Sequence, residues 1–115
     1  MSLNVHLTID VDTGGKELYC VELYSANTTH NLGAMATEAG IYDALWRPDE
    51  IGIETAAQLI EPLRKGGQLM LDDPKRFEAY NDEKGWGMYY DFLPWIKQYL
   101  AACQLYPKAR VSVSR

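Results

Sequence analysis

Two kinds of hydrophobic periodicity divide the chain, and their order limits the folds available to it. Apolar and polar residues alternate near both ends, in residues 4–11 and 109–113, and residues 17–24 are typical of a returning strand with apolar residues on both sides. Between these runs, apolar residues recur every three or four positions, which is the helical period. Strands at the two ends must come together to bury their apolar sides. We therefore predict an α+β fold, with a small, mainly antiparallel sheet (an N-terminal hairpin plus a C-terminal strand) and helices packed on one face.

The N-terminal hairpin has one clean strand and one ambiguous strand. The apolar set of the first strand is Val5, Leu7, Ile9 and Val11. Gly14 and Gly15 predict a tight turn after it, because glycine adopts positive φ at little cost. The returning strand carries apolar residues on both sides, which predicts that it is covered on both faces and central in the sheet.

The middle of the chain predicts a series of helices. A first helix is expected from Thr28, closed by Gly40, with an apolar stripe formed by Leu32, Met35, Ala36 and Ala39. A short helical turn follows in residues 41–47. The last helix is expected at about residues 88–104, with Pro94 near its first turn.

The helix after Thr55 has a strong start and a weak interior. Thr55 and Gln58 have capping-box spacing, which predicts a helix start. Pro62 predicts a bend, since proline removes a hydrogen-bond donor. Gly66 and Gly67 indicate either a helix break or a close approach by a neighbouring element.

Length, charge and cysteine content restrict the classes of function. The chain has 115 residues, which predicts a single domain, 1–115, and a net charge of −5 from interspersed acids and bases. Nucleic acid is therefore an unlikely partner, because its binding proteins cluster lysine and arginine. The two cysteines and two histidines have no metal-site spacing, so we expect no metal and no cofactor. No apolar run approaches the ~20 residues of a membrane span, and no leader is recognisable, so we expect no membrane partner and a cytoplasmic protein.

The first candidate site is the polar stretch 25–31, which lies between a strand and a helix. One of its side chains must cap the helix, and Asn27, Thr28 and Thr29 all qualify. The remaining residues could form a ligand or partner site at the helix start, where exposed N–H groups favour anions. Two interpretations stay open: a structural helix start, or a binding site containing Asn27, Thr29, His30 and Asn31.

The second candidate site is the aromatic stretch "KGWGMYY", residues 84–90. Trp86, Tyr89 and Tyr90 could stack on a base or a sugar ring, or they could plug the edge of the sheet. If this stretch and His30 belong to one site, both helix starts must lie at the same end of the molecule. No P-loop, nucleophile elbow or H-E-x-x-H motif is present, so no catalytic residue is assigned.

Two long segments of the sequence carry a family resemblance. "ANTTHNLGAMATEAGIYDALWRP" and "GWGMYYDFLPWIKQYLAACQLYPKARVSVSR" resemble a family of small proteins encoded by tailed bacteriophages and prophages. The pattern is A-N-x-T-H-N-L, then G-W-G, then V-x-V-S-R. The resemblance implies that Asn27, Thr29, His30, Asn31, Trp86 and Gly87 match family motifs. It implies no activity, because none is established for that family.

Three functional hypotheses follow. The favoured one is a non-enzymatic phage or prophage accessory protein that acts on a host or phage protein in the host cytoplasm. The alternatives are a protein that binds a nucleotide-like small molecule, and an enzyme that uses His30 as an acid or base. The thirteen aromatic residues exceed what one small core needs, which suggests a homodimer.

Overall fold

A three-stranded antiparallel sheet carries all the helices on one of its faces. The computed structural model describes residues 2–115. The strands are β1 (Ser2–Val11), β2 (Tyr19–Thr29) and β3 (Arg110–Ser114). The helices are α1 (Gly33–Glu38), α2 (Tyr42–Trp46), α3 (Ala56–Asp72), α4 (Pro74–Glu78) and α5 (Tyr89–Leu105), and 3₁₀ turns cover His30–Leu32 and Pro48–Ile51. The predicted α+β class, the hairpin and the C-terminal strand are confirmed.

The central strand is β1, so the predicted position of β2 is wrong. The strand order is β2-β1-β3, which makes β2 an edge strand. A β-bulge between the Leu7–Tyr24 and Thr8–Glu22 pairs inserts Leu23 into β2 and reverses which residues face the helices. Tyr19 and Val21 share the helix-facing side with Tyr24 because of this inserted residue. The bulge explains why β2 appeared apolar on both sides in the sequence.

The core lies between the sheet and the helices. Leu3, Val5 and Leu7 of β1 are completely buried there, in one cluster with Leu59 and Leu63 of α3. The other face of the sheet is polar and carries no helix. Such one-sided burial is common in antiparallel sheets.

The N-terminal hairpin extends beyond the helical layer. Its connection runs through residues 12–18, so it is longer than the tight turn predicted for Gly14 and Gly15. Every residue from Asp10 to Cys20 is exposed, and the molecule measures 53 × 27 × 23 Å. The end of the hairpin therefore receives little support from the core.

The predicted helices are present, with two differences. Strand β2 continues to Thr29, so the helical region begins at His30 instead of Thr28. Helix α3 runs unbroken through Pro62, Gly66 and Gly67. A Cβ on Gly66 would lie 2.4 Å from Cγ2 of Ile41, so the close approach is the correct alternative for this glycine.

Candidate functional site

Thr29 is the residue that caps the helical region. It ends β2 in an extended conformation, and its Oγ1 accepts a hydrogen bond from the backbone N–H of Asn31 at 3.3 Å. The 3₁₀ turn His30–Leu32 starts there and leads directly into α1. Capping thereby explains Thr29, one of the six polar residues in the stretch 25–31, as the structural interpretation required.

His30 is the hydrogen-bond partner of a buried tryptophan. Nε1 of Trp46 donates to Nδ1 of His30 at 2.7 Å, and the centres of the two rings lie 6.1 Å apart. Trp46 is only 2% exposed and stacks on Tyr42 at a centroid distance of 5.1 Å. A neutral imidazole that accepts at Nδ1 carries its proton on Nε2. His30 therefore satisfies the single polar atom of Trp46, a residue that the sequence did not connect with it.

Asn27 lies away from His30, on the polar face of the sheet. Its Nδ2 donates to Oδ1 of Asn4 on β1 at 2.8 Å. Its backbone carbonyl accepts from Nε1 of Trp95 at 3.0 Å. Both interactions join β2 to its neighbours, so Asn27 has a structural role in the sheet.

The loop that carries Trp86 is held by its own hydrogen bonds. Oδ2 of Asp82 accepts from the backbone N–H groups of Lys84, at 3.0 Å, and Trp86, at 3.2 Å. The N–H of Asp82 donates to the carbonyl of Gly87 at 3.1 Å. Despite this order, the side chain of Trp86 is 68% exposed.

The two candidate stretches meet at Asn31 and Gly87. Gly87 is buried with φ +133°, and a Cβ at this position would lie 3.2 Å from Cβ of Asn31 and 3.4 Å from Leu32. Only glycine fits this close approach without displacing its neighbours. The structure thus places the Trp86 loop against the turn that follows His30, although 56 residues separate Asn31 from Gly87 in the sequence.

Tyr89 and Tyr90 are neighbours with opposite surroundings. The hydroxyl of Tyr89 donates to the carbonyl of Met70 at 2.8 Å, and its backbone N–H donates to Oδ1 of Asn81 at 2.7 Å. Burial of its hydroxyl raises the pKa of Tyr89. Tyr90 is 66% exposed. Trp86 and Tyr90 are therefore the exposed aromatic side chains of residues 84–90, here called the aromatic surface, while Tyr89 anchors the start of α5.

The stretch of chain that carries the aromatic surface is acidic in sequence. Residues 81–91 contain three acidic side chains, Asp82, Glu83 and Asp91, and one basic side chain, Lys84. Exposed aromatic side chains in an acidic stretch are suited to a partner with basic groups around an apolar centre.

Three surface cavities lie elsewhere. The two larger ones measure about 470 Å³ and 370 Å³ and follow the outer edge of β3, where Asp49 and Val111 line both. The third, about 130 Å³, is an apolar groove between α3 and α5. None of the three is lined by His30, Trp86 or Tyr90.

Metal and membrane features give no further site. Within residues 2–115, no three His, Cys, Asp or Glu side chains are grouped so that they could hold a metal ion. In the same part of the chain, no helix has both the length and the apolar character that crossing a bilayer requires.

Comparisons with known proteins do not add a function to this geometry. No protein-family model, no curated protein and no solved structure matches the chain.

Proposed function

We propose that this protein is a non-enzymatic interaction protein, of the phage or prophage accessory kind that its sequence resembles, and that it acts on a host or phage protein in the host cytoplasm. The aromatic surface of Trp86 and Tyr90 is its contact site. The observation that carries the proposal is the combination of an ordered loop and an exposed tryptophan.

Exposure of Trp86 is unfavourable for the fold alone. Burial of a large aromatic side chain stabilises a protein strongly, since its truncation in a core costs about 3–5 kcal/mol. Here Asp82 and Gly87 order the loop, yet the indole remains 68% exposed. Rigid, exposed tryptophan and tyrosine side chains are the residues most enriched at the energetic centres of protein interfaces.

The position of His30 favours this hypothesis over an enzyme. An acid–base residue needs access to a substrate proton. Nδ1 of His30 already accepts a hydrogen bond from Trp46, and Trp46 in turn stacks on Tyr42. The three cavities are lined by other residues.

Trp86→Ala tests the proposal directly, and Leu105→Ala is the matched control. Leu105 is also 68% exposed and lies at the opposite end of α5. Tagged variants would be used to capture cross-linked partners from bacteria infected with a tailed phage. We expect wild type and Leu105→Ala to retain the same partner, and Trp86→Ala to lose it by about thirtyfold, as for an interface hot spot.

The other outcomes of this experiment are also decisive. Equal capture by wild type and Trp86→Ala, or no specific capture at all, would refute the proposed contact site.

A nucleotide that raises the melting temperature of wild type but not of Trp86→Ala would support the nucleotide-like ligand instead, since a ligand stabilises the state it binds.

We also propose that the chain forms a homodimer through the end of the N-terminal hairpin. Val11, Leu18 and Tyr19 are 37%, 61% and 65% exposed there, and β2 is an edge strand. An isolated two-stranded ribbon is only marginally stable, so contact with a second copy would support it. Light scattering should give twice the mass of the 13.0 kDa chain. Tyr19→Ser should shift the measured mass towards that of the monomer. A monomer mass at high concentration would contradict this proposal.

A further inference from the structure

The outer edge of β3 is already used once for strand pairing inside the molecule. The N–H of Val111 donates to the carbonyl of Glu54 at 2.8 Å, and the N–H of Ala56 donates to the carbonyl of Ala109 at 2.9 Å. Residues 54–56 therefore form a short antiparallel partner on the side of β3 that faces away from β1. This edge accepts an additional strand in its first half.

The second half of the same edge has no partner strand. Going backwards along the chain from Glu54, Ile53 turns inward and Gly52 takes a left-handed conformation with φ 78°. The preceding residues then form the 3₁₀ turn Pro48–Ile51 beside β3 instead of continuing along it. An open channel results between this turn and the last residues of β3.

Val113 directs hydrogen-bonding groups into this channel. Backbone groups of alternate residues point to the same side of an antiparallel strand. Because the N–H of Val111 points away from β1, that of Val113 does so too, together with its carbonyl. Within residues 2–115, neither the N–H nor the carbonyl of Val113 makes a hydrogen bond to an atom outside the sheet.

The channel has the size and the walls of a peptide groove. Its volume is about 470 Å³, which falls within the usual ~300–1,000 Å³ range of binding pockets. Pro48 and Asp49 form one wall, and residues 111–113 form the other. A neighbouring cavity of about 370 Å³ continues along the same edge.

The guanidinium of Arg115 lies at one end of the groove and is paired on one edge with Asp49 of the opposite wall. Its Nη1 donates to the carbonyl of Trp46 at 2.8 Å and to Oδ1 of Asp49 at 3.3 Å. Both hydrogen bonds that Arg115 makes in the described chain use Nη1, so Nε and Nη2 remain able to donate. A guanidinium with two adjacent donors matches a carboxylate in geometry and charge.

We propose that an extended, acidic peptide segment of a partner protein binds in this groove by strand addition to β3. Its main chain pairs with the N–H and carbonyl of Val113, and its carboxylate binds Arg115. The mode is β-augmentation, in which main-chain hydrogen bonds provide affinity and flanking side chains provide selectivity. The surface is separate from Trp86 and Tyr90, so the inference does not rest on the proposed aromatic contact site.

Peptide titration monitored by NMR tests this groove. The probes are two pools of acetylated random pentapeptides, one with a central glutamate and one with a central lysine. We expect the acidic pool to shift the amide signal of Val113 and to bind about tenfold more tightly than the basic pool, as for one charge-assisted hydrogen bond. No shift at Val113 with either pool, or equal binding of both pools, would overturn the proposal.

Two variants and a modified probe distinguish main-chain pairing from non-specific peptide binding. Val113→Pro removes the outward N–H, and proline is tolerated at such edge positions, so binding should be lost in a folded protein. Arg115→Gln should remove the preference for the acidic pool. Backbone N-methylation of the peptides should abolish binding to unmodified protein, which covers the case in which Val113→Pro does not fold. Unchanged binding after N-methylation would exclude strand addition, and Trp86→Ala should have no effect.

Discussion

The indole of Trp46 donates its only hydrogen bond to the imidazole of His30, across 2.7 Å. The donor belongs to α2 and the acceptor to the turn that follows β2, so the bond ties the sheet to the helical layer. The histidine at this helix start therefore has a structural role: it accepts the hydrogen bond of the buried Trp46 indole.

Removal of this acceptor should destabilise the protein. His30→Ala leaves the buried N–H of Trp46 without a partner, and we expect a loss of about 1–3 kcal/mol in the free energy of unfolding. His6→Ala is the control, because the surface pair of His6 and Glu22 contributes only about 0–1 kcal/mol. Chemical denaturation followed by tryptophan fluorescence measures both. A His30→Ala protein as stable as wild type would contradict the structural role.

Two neighbouring glycines in α3 should respond in opposite ways to alanine. At Gly66 the new methyl group would meet Cγ2 of Ile41 at 2.4 Å, and overpacking of this kind costs about 1–3 kcal/mol. At Gly67 the nearest atom is Cγ2 of Ile96 at 3.7 Å, an ordinary contact. Gly67→Ala should therefore stabilise the protein by about 1 kcal/mol, the helix-propensity gain. Thermal melts of the two variants compare these effects, and a Gly66→Ala protein at least as stable as wild type would show that the Ile41 contact is unimportant.

The hydroxyl of Tyr99 should be dispensable for the fold. It is buried and makes no hydrogen bond with any residue from 2 to 115, while its ring stacks on Tyr24 at 5.8 Å. Tyr99→Phe keeps the ring and removes the unsatisfied group, so we expect stability to stay the same or to rise by up to about 1–3 kcal/mol. Calorimetry measures the change. A marked loss would reveal a partner for the hydroxyl, such as a bound water.

The two cysteines should differ sharply in reactivity. Cys20 is exposed on β2, whereas Cys103 is fully buried, and burial raises the pKa of its thiol to about 12. Because the thiolate is the reactive form, only Cys20 should react with a disulfide reagent in the native protein at pH 8. Denaturant should expose the second thiol. Cys20→Ser should abolish the native reaction, and rapid reaction of both thiols in the native protein would contradict the packing of α5.

The ion pair between α1 and α4 should contribute stability in a pH-dependent manner. Hydrogen bonds from Arg76 and Tyr80 lower the pKa of Glu38. This contribution is present above the ordinary glutamate pKa of about 4.3 and is lost as the pH falls through the lowered value in the folded protein. Glu38→Gln should therefore melt below wild type at pH 7, and the difference should shrink in acid. Glu83→Gln, in an exposed loop, should show a small difference that does not follow this trend.

Local patterns in the sequence predicted the elements that depend on near neighbours. Alternation identified Val5 and Leu7 as belonging to the buried side of a strand, and helical spacing identified Met35 and Ala36 as core. Each of these predictions needed only the hydrophobic period within a single strand or helix. The extra residue Leu23 in β2 could not be recognised, because a bulge is defined by the partner strand.

The candidate site was predictable only in part for the same reason. Thr29 was one of three candidates for the helix cap, together with Asn27 and Thr28, and the structure shows the capping bond at Thr29. The partner of His30 lies 16 residues away, and the glycine that touches Asn31 belongs to a different loop. Side chains of ordinary core type, such as Trp46, carry no local signal of these contacts.

The central place of β1 has a consequence for the order of folding. This strand pairs with β3, whose residues lie about a hundred positions later in the chain. The hairpin of β1 and β2 can form early, because its contacts are close in sequence, but the third strand can join only after Ser114 has left the ribosome. Closure of so long a loop carries an entropic cost that slows folding. Until then, the side of β1 that later pairs with β3 is an open edge, so the newly made chain is exposed to unwanted pairing until β3 has joined.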